Sequence, residues 1–273
     1  MKLTFDKPLL MGILNVTPDS FSDGQEDGVY EPRLRGLLEQ GADIIDIGAE
    51  STFGPDSQVS AEEEWTRLKP ILSEIFDKQP GKEAPRLVPT SDVVCSAPFI
   101  SIDTWKAEIA EKALEMGAQM INDVTALRGD PKMIDVLMKY KPYICLMFSA
   151  DETPYASRTN YQYQDIIKTI SEFLLKQAQI LLEKGFPKEK IILDPGLGFF
   201  VSSDPKVSWE IIDRLGELKK LGFPVLVGHS MKSFLGGPIE ERLPKTLGAA
   251  EMCLDHGADI LRVHHVTEHK ALL

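Results

Sequence analysis

The chain has 273 residues, 43% of them hydrophobic, with 30 Lys and Arg against 42 Asp and Glu for a net charge of −12. That is enough apolar material for one large domain or two small ones, and the acidic surface argues against nucleic acid and anionic membranes as partners. Cys95, Cys145 and Cys253 lie far apart with no CxxC pair, which fits a reducing cytoplasm and argues against a disulfide framework.

Asp6, Lys7 and Pro8 interrupt the N-terminus before an apolar run forms, so no signal peptide is expected. No stretch approaches the ~20 apolar residues of a membrane span. Short β-rich apolar runs at 9–16, 44–47, 99–102, 120–124, 143–148, 191–193, 224–227 and 260–263 predict eight strands. Between them, 33–39, 62–76, 107–116, 132–139, 165–183, 209–221 and 246–255 carry apolar side chains at three-and-four spacing and predict helices. Three joints nearly repeat: "EQGADIIDIG", "EMGAQMINDV" and "DHGADILRVH". Each closes a helix with a glycine (Gly41, Gly117, Gly257) and enters a strand at once, the pattern of a parallel sheet with right-handed crossovers.

Eight such strands in a chain near the usual ~250 residues predict an α/β protein of a single domain, a closed (β/α)8 TIM barrel spanning 1–273. An open doubly wound sheet would carry a Gly-rich first turn, and "NVTPDSFSDG" has no GxGxxG. Residues 77–98, rich in proline, predict a surface insert before the third strand, with a short extra strand at 87–88. Only 266–273 follow the eighth strand, so the last helix is expected to be short or cut off.

In such a barrel the C-terminal strand ends converge on one face. Those ends carry Asn15, then Asp46, Glu50, Ser51 and Thr52, then Asp103, Asn122 with Asp123, Asp194, Ser230 with Lys232 and Ser233, and Arg262 with His264. Burying so many polar groups without a ligand would cost ~1–3 kcal/mol for each one left unsatisfied. A ligand site is the better reading. Asp103, Asn122 and Asp194 with Lys232 suit a flat polar heterocycle. Asn15, Thr52, Arg262 and His264 suit an anion, with the neutral Asn15 oxygen a reasonable Mg2+ ligand beside a pyrophosphate. "GHSMK" is no nucleophile elbow, because Lys232 stands where the second glycine must be. Glu62, Glu63 and Glu64 read as a helix first turn favoured by the macrodipole.

"MGILNVTPDSFSDG", "GAEST", "SIDT", "INDV", "LDPGLGF", "GHSMKSFLG" and "RVHHV", in this order over nearly the whole chain, resemble the motifs of the dihydropteroate synthases. The resemblance implies a (β/α)8 barrel and a homodimer. It also implies an Mg2+-dependent condensation of 6-hydroxymethyl-7,8-dihydropterin pyrophosphate with p-aminobenzoate, giving pyrophosphate and 7,8-dihydropteroate. It puts the pterin ring against Asp103, Asn122, Asp194 and Lys232, with Gly228 in the substrate-binding set. Asn15, Arg262 and His264 fall at the Mg2+-pyrophosphate, with Arg262 facing only the leaving group. Phe21, Thr52, Phe199 and Ser233 fall near p-aminobenzoate. Asp103, Lys232, Arg262 and His264 are expected to carry the catalysis, and two loops, 17–24 and 51–60, to close over it. The competing reading is a methyltetrahydrofolate-binding barrel without synthase activity, which needs neither the "NVTPDSFSDG" loop nor an anion site.

The chain departs from the family pattern at Phe53 and Met231, where arginines are usual, at Met147-Phe148, and in "GFFVSSDP", which lacks a lysine. "LDPGLGFF", "KSFLG" and the "SADETPYASRT" loop are similar to the sulfonamide-insensitive members, while the departures thin the cationic groups near the pyrophosphate and p-aminobenzoate. They predict a bulky apolar rim at Phe53, Phe148 and Met231 around the closing loops.

Overall fold

A computed structural model describes residues 2–16, 30–51, 58–76 and 99–273. The apolar runs form β1 (Leu9–Asn15), β2 (Ile44–Gly48), β3 (Phe99–Asp103), β4 (Met120–Asp123), β5 (Tyr143–Met147), β6 (Ile191–Asp194), β7 (Leu226–Val227) and β8 (Ile260–Val263). The helices are α1 (Tyr30–Glu39), α2 (Ala61–Phe76), α3 (Ala107–Met116), α4 (Met133–Tyr140), α5 (Ile166–Glu183), α6 (Pro205–Asp213), α7 (Leu215–Lys219), α8 (Leu243–Asp255) and α9 (Val266–Lys270). All strand pairs are parallel, in the order β6-β5-β4-β3-β2-β1-β8-β7. A bridge between Leu193 and Val225 joins the two ends, with the Leu193 amide donating to the Pro224 carbonyl at 2.9 Å. The result is a single TIM-barrel domain with a weak seam. Pro224 has no N–H to give to a ladder, so β7 begins two residues later than the apolar run suggested.

Strand periodicity decides what each layer holds. Leu10, Leu14, Ile45, Ile47, Ile100 and Ile102 face outward and pack with Leu34, Leu37, Leu68, Ile71 and Leu72 of the helices. The alternate residues Leu9, Met11, Ile44, Phe99, Met120, Tyr143, Ile192, Leu226 and Ile260 fill the lower interior as a separate apolar plug. Leu3 and Phe5 pack beneath that plug, and the Leu3 amide donates to the Tyr143 hydroxyl at 2.9 Å. Continuing up the same inward parity gives Ile13, Asn15, Asp46, Gly48, Ser101, Asp103, Asn122, Met147, Asp194, Gly228 and Arg262. The barrel is greasy below and polar above.

The helix expected over 209–221 is two. Asp204 caps α6 by accepting from the Lys206 amide at 3.0 Å, and Pro205 takes the first helical turn, so the helix starts earlier than its apolar stripe. It breaks at Arg214, whose guanidinium binds Asp165, Glu210 and Glu217, before the short α7 resumes. The insert at 77–98, with its extra strand at 87–88 and Cys95, lies outside the described residues; Cys145 and Cys253 are free and buried. Among the described residues no helix is long and apolar enough to cross a membrane.

The acidic first turn of α2 is only partly what it seemed. Glu62 and Glu63 are exposed, but Glu64 is fully buried, on the inward face shared with Leu68. It meets Lys106 at 2.5 Å, and Lys106 also reaches Glu50 at 3.0 Å. Burial pushes the Glu64 carboxyl up, and the Lys106 ammonium pulls it back. Lys106→Met should therefore destabilise the fold by about 3–5 kcal/mol, the usual result of stranding a buried charge. Adding Glu64→Leu should recover much of that loss. Denaturant midpoints of the single and double variants check both outcomes.

Candidate active site

The upper interior opens into a cavity of about 640 Å³ at the C-terminal ends of the strands, lined by Asn15, Asp103, Asn122, Asp194, Gly228, Lys232, Arg262 and His264. Phe199 and Ser233 form part of its wall. Register puts Asn15, Gly48, Asp103 and Asn122 side by side at one level of β1 to β4. A Cβ at Gly48 would stand 3.3 Å from the Asp103 Cβ and 3.7 Å from the Asn15 Oδ1, so glycine keeps the gap between them open. A Cβ at Gly228 would touch both Arg262 and Lys232, each 4.0 Å away, and fill the slot between them.

Arg262 is the hub of the floor. Its Nε donates to Asp46 Oδ2 at 2.7 Å and its Nη2 to Asp103 Oδ2 at 2.6 Å. Asn122 Nδ2 donates to the same Asp46 oxygen at 3.0 Å. Burial works against the Arg262 charge, but Asp46 and Asp103 outweigh it and keep the guanidinium charged. Burial lifts Asp103 above the usual carboxylate range, with Arg262 opposing and Asp46 adding to the rise. The expectation that Arg262 faces only a leaving group is corrected here: two floor carboxylates hold it across the barrel. Asp46 Oδ1 and Ser101 Oγ are buried with no partner among the described residues. A polar ligand or ordered water over this floor would satisfy such atoms.

Asp194 is set by its own turn. The Gly196 amide donates to Asp194 Oδ1 at 2.8 Å, and Gly196 has φ +66 where a Cβ would come within 2.3 Å of the Phe148 carbonyl oxygen. Lys232 crosses from the β7 side, donates to the Leu197 carbonyl at 3.0 Å and lies 5.4 Å over the Phe200 ring. Burial pulls the Lys232 ammonium down to about 8, with Asp194 resisting, and pushes Asp194 up, with Lys232 resisting. His264 Nδ1 lies 3.1 Å from Ser230 Oγ. The surrounding cavity wall, then Arg262, lowers the His264 imidazole to about 4 although its side chain is open to solvent, so at neutral pH it acts as a hydrogen-bonding group rather than a cation.

Two residues leave the site. Asp123 faces outward, accepting from the Thr125 amide at 2.8 Å, the Thr125 hydroxyl at 2.6 Å and the Leu127 amide at 2.8 Å. It shapes a turn in which Ala126 and Leu127 take positive φ. Phe148, expected at the rim, is buried edge-on against Phe173 of α5 at 5.3 Å, because alternation points Met147 into the cavity and its neighbour away. Met231 does line the cavity, at φ +60, with Arg242 Nη1 donating to its carbonyl at 2.9 Å. Phe21, Thr52 and Phe53, and most of the loops at 17–24 and 51–60, lie outside the described residues. Ile13, Leu197 and Phe200 line the cavity without having been singled out; for Ile13, counting by twos from Asn15 would have found it.

A family profile described as "pterin binding enzyme" matches residues 11–264. The chain belongs to the pterin-binding enzyme family. Within it, the chain is a transferase of the dihydropteroate synthase type. It is 36% identical over 274 residues to a dihydropteroate synthase of Clostridium beijerinckii, covering 96% of this chain and 91% of that one. A solved dihydropteroate synthase from Clostridium difficile, crystallised in the presence of pteroic acid, superposes with a TM-score of 0.83 at 36% identity, covering 100% of this chain and 96% of the other. A probable bifunctional folylpolyglutamate synthase/dihydropteroate synthase of Halobacterium salinarum is 40% identical over 275 residues. That match takes in 97% of this chain but 31% of the archaeal protein's length.

Because Asp46 holds both Arg262 and Asn122 and raises Asp103, Asp46→Asn in this pterin-binding enzyme should act on all three. Pterin affinity should fall about tenfold or more, and Asp103 should ionise at lower pH than before. Titration of 6-hydroxymethylpterin across pH reads both.

Proposed function

We propose that this chain condenses 6-hydroxymethyl-7,8-dihydropterin pyrophosphate with p-aminobenzoate, releasing pyrophosphate and forming 7,8-dihydropteroate. The observation that carries the reading is that one cavity holds two chemistries: Asp103, Asn122, Asp194 and Lys232, which suit a pterin ring, and Asn15, His264 and the floor cation Arg262, which suit an anion. A pterin edge presents alternating N–H donors and ring acceptors. Asp194 and Asn122 would take its N–H groups, and Lys232 would donate to its acceptors. The folate-binding alternative needs no such anion side, and the names of the relatives favour the synthase.

In the proposed mechanism the bond from the pterin methylene to the pyrophosphate oxygen breaks first. Positive charge then spreads into the ring, where ionised Asp103 faces it, while Arg262 and the neutral His264 N–H meet the charge on the departing oxygen. The arylamine nitrogen attacks the methylene and gives up a proton to the departed pyrophosphate, with the aromatic ring against Phe199 and the carboxylate toward Ser233. No side chain becomes covalently attached.

Mg2+ belongs to this reading as a companion of the diphosphate. Among the described residues no group of three His, Cys, Asp or Glu could hold a metal by itself. A single neutral oxygen at Asn15 suits Mg2+, which retains waters and binds through few protein ligands plus substrate phosphate. When bound, Mg2+ would neutralise charge on the leaving group. The sparse cysteines, of which Cys145 and Cys253 are free, support a cytoplasmic setting, and the family likeness supports a homodimer.

Incorporation of labelled p-aminobenzoate, dependent on both the pterin pyrophosphate and Mg2+, tests the reading, and no incorporation would refute it. Asp103→Asn and Asp194→Asn should each lower pterin affinity at least about tenfold, since an amide replaces a charged acceptor, while circular dichroism stays unchanged. The pH dependence has a defined sign. With Asp103 raised by burial, kcat/KM should climb as that carboxyl ionises, above the usual carboxylate range. It should fall beyond about 8 as Lys232 loses its proton. Lys232→Arg, which stays charged, should carry the alkaline limb upward in a pH–rate profile.

A further inference from the structure

The positive groups deep in the cavity are already committed to partners. Arg262 is divided between Asp46 and Asp103, at 2.7 and 2.6 Å. Lys232 faces Asp194 and donates to the Leu197 carbonyl. Arg242, at the wall, is bound to the carbonyl oxygens of Met231 at 2.9 Å and Gly237 at 3.1 Å. His264 is held neutral. Asp46, Asp103 and Asp194 thus stand against Arg262 and Lys232, and the floor offers no excess positive charge. A diphosphate leaving group carries more negative charge than one Mg2+ would neutralise.

Arg33 differs from these. It lies on α1, whose buried face is Leu34 and Leu37, and its exposed side chain lines the same cavity as Asn15, His264 and His265. Among the described residues it makes no hydrogen bond or ion pair, whereas Arg35, two residues on, is tied to Glu31 along the helix. It is close enough to His264 for its charge to help depress that imidazole. An exposed arginine with no partner, aimed at a cavity, is a poor structural residue and a good anion receptor. Its planar fork matches two phosphate oxygens at once.

We propose that Arg33 is the outer cation of the leaving-group site. It engages the terminal phosphate of the pterin diphosphate and gives the enzyme its preference for the diphosphate over the free pterin alcohol. This assignment rests on the reaction proposed above. Because Arg33 is exposed, its contribution is open to ionic screening over the ~8–10 Å Debye length of ordinary buffers. It is a specificity residue for substrate capture and for the binding of product pyrophosphate.

The test uses the full chain with Mg2+ and three probes: 6-hydroxymethyl-7,8-dihydropterin pyrophosphate, 6-hydroxymethylpterin, and inorganic pyrophosphate as an inhibitor. Arg33→Gln should weaken the pterin diphosphate and inorganic pyrophosphate about tenfold each, and leave 6-hydroxymethylpterin within about twofold. Arg33→Lys should fall between, and the difference should shrink in 0.5 M salt, a salt level chosen well above the ~0.15 M physiological range. A wild-type chain that prefers the diphosphate, with the same preference in Arg33→Gln, would overturn this assignment and leave the reaction standing. A wild-type chain that binds neither pterin would overturn the proposed reaction, and this assignment with it.

Discussion

One guanidinium shared by two carboxylates inside a closed barrel organises the rest of this molecule. Arg262 comes from β8, Asp46 from β2 and Asp103 from β3, and Asn122 of β4 joins through the same Asp46 oxygen. A buried cation would be very costly alone, and a buried carboxylate equally so. Together they tolerate burial because each satisfies the other, although such groups rarely add net stability over apolar packing. Their value here is positional. Four strands are cross-linked at the level where the cavity floor must be flat and polar, and Asp103 is held ready with one oxygen already oriented.

A second buried network does the same for the loops above. Glu50, at the end of β2, accepts from the Val59 amide at 3.1 Å, Trp105 Nε1 at 2.8 Å, Lys106 Nζ at 3.0 Å and the Tyr155 hydroxyl at 2.9 Å. Those donors belong to the connections after β2, β3 and β5. Tyr155 neighbours Ala156, which lines the cavity wall. A single carboxylate therefore fixes the relative heights of three loops around the mouth, and Glu64 beneath it supplies the second anion that Lys106 needs.

The charge arrangement also explains how one pocket can serve a reaction that separates charge. In the proposed reaction Asp103 and Asp194, both raised by burial, would face a ring that becomes positive, and their ionisation would be favoured as that charge appears. In that reading neutral His264 and Arg33, which has no ion pair among the described residues, would stand at the other end, where negative charge collects. The separation is a consequence of strand parity: residues pointing inward at the same height share an environment, whichever part of the chain they come from.

Much of this was legible in the sequence. Eight apolar runs, three repeated helix-glycine-strand joints and polar residues at the strand ends determined the barrel and most of its lining, because periodicity and turn chemistry are local properties of the chain. Local pattern also assigned Asp194 and Lys232 to one side and His264 to another. Tertiary structure alone decided the pairings. Nothing near Asp46 in "DIIDIG" indicates that its partner is Arg262, at the far end of the chain, and only ring closure brings β8 against β1 and within reach of β2. The same holds for Glu64, which reads as a surface helix turn until α2 packs against Lys106, and for Phe148, one residue past a strand end and so turned to the helix layer. Arg33 carried no local mark at all. Its position at the mouth depends on how α1 leans on the barrel, a matter of packing between elements that no single stretch of sequence encodes.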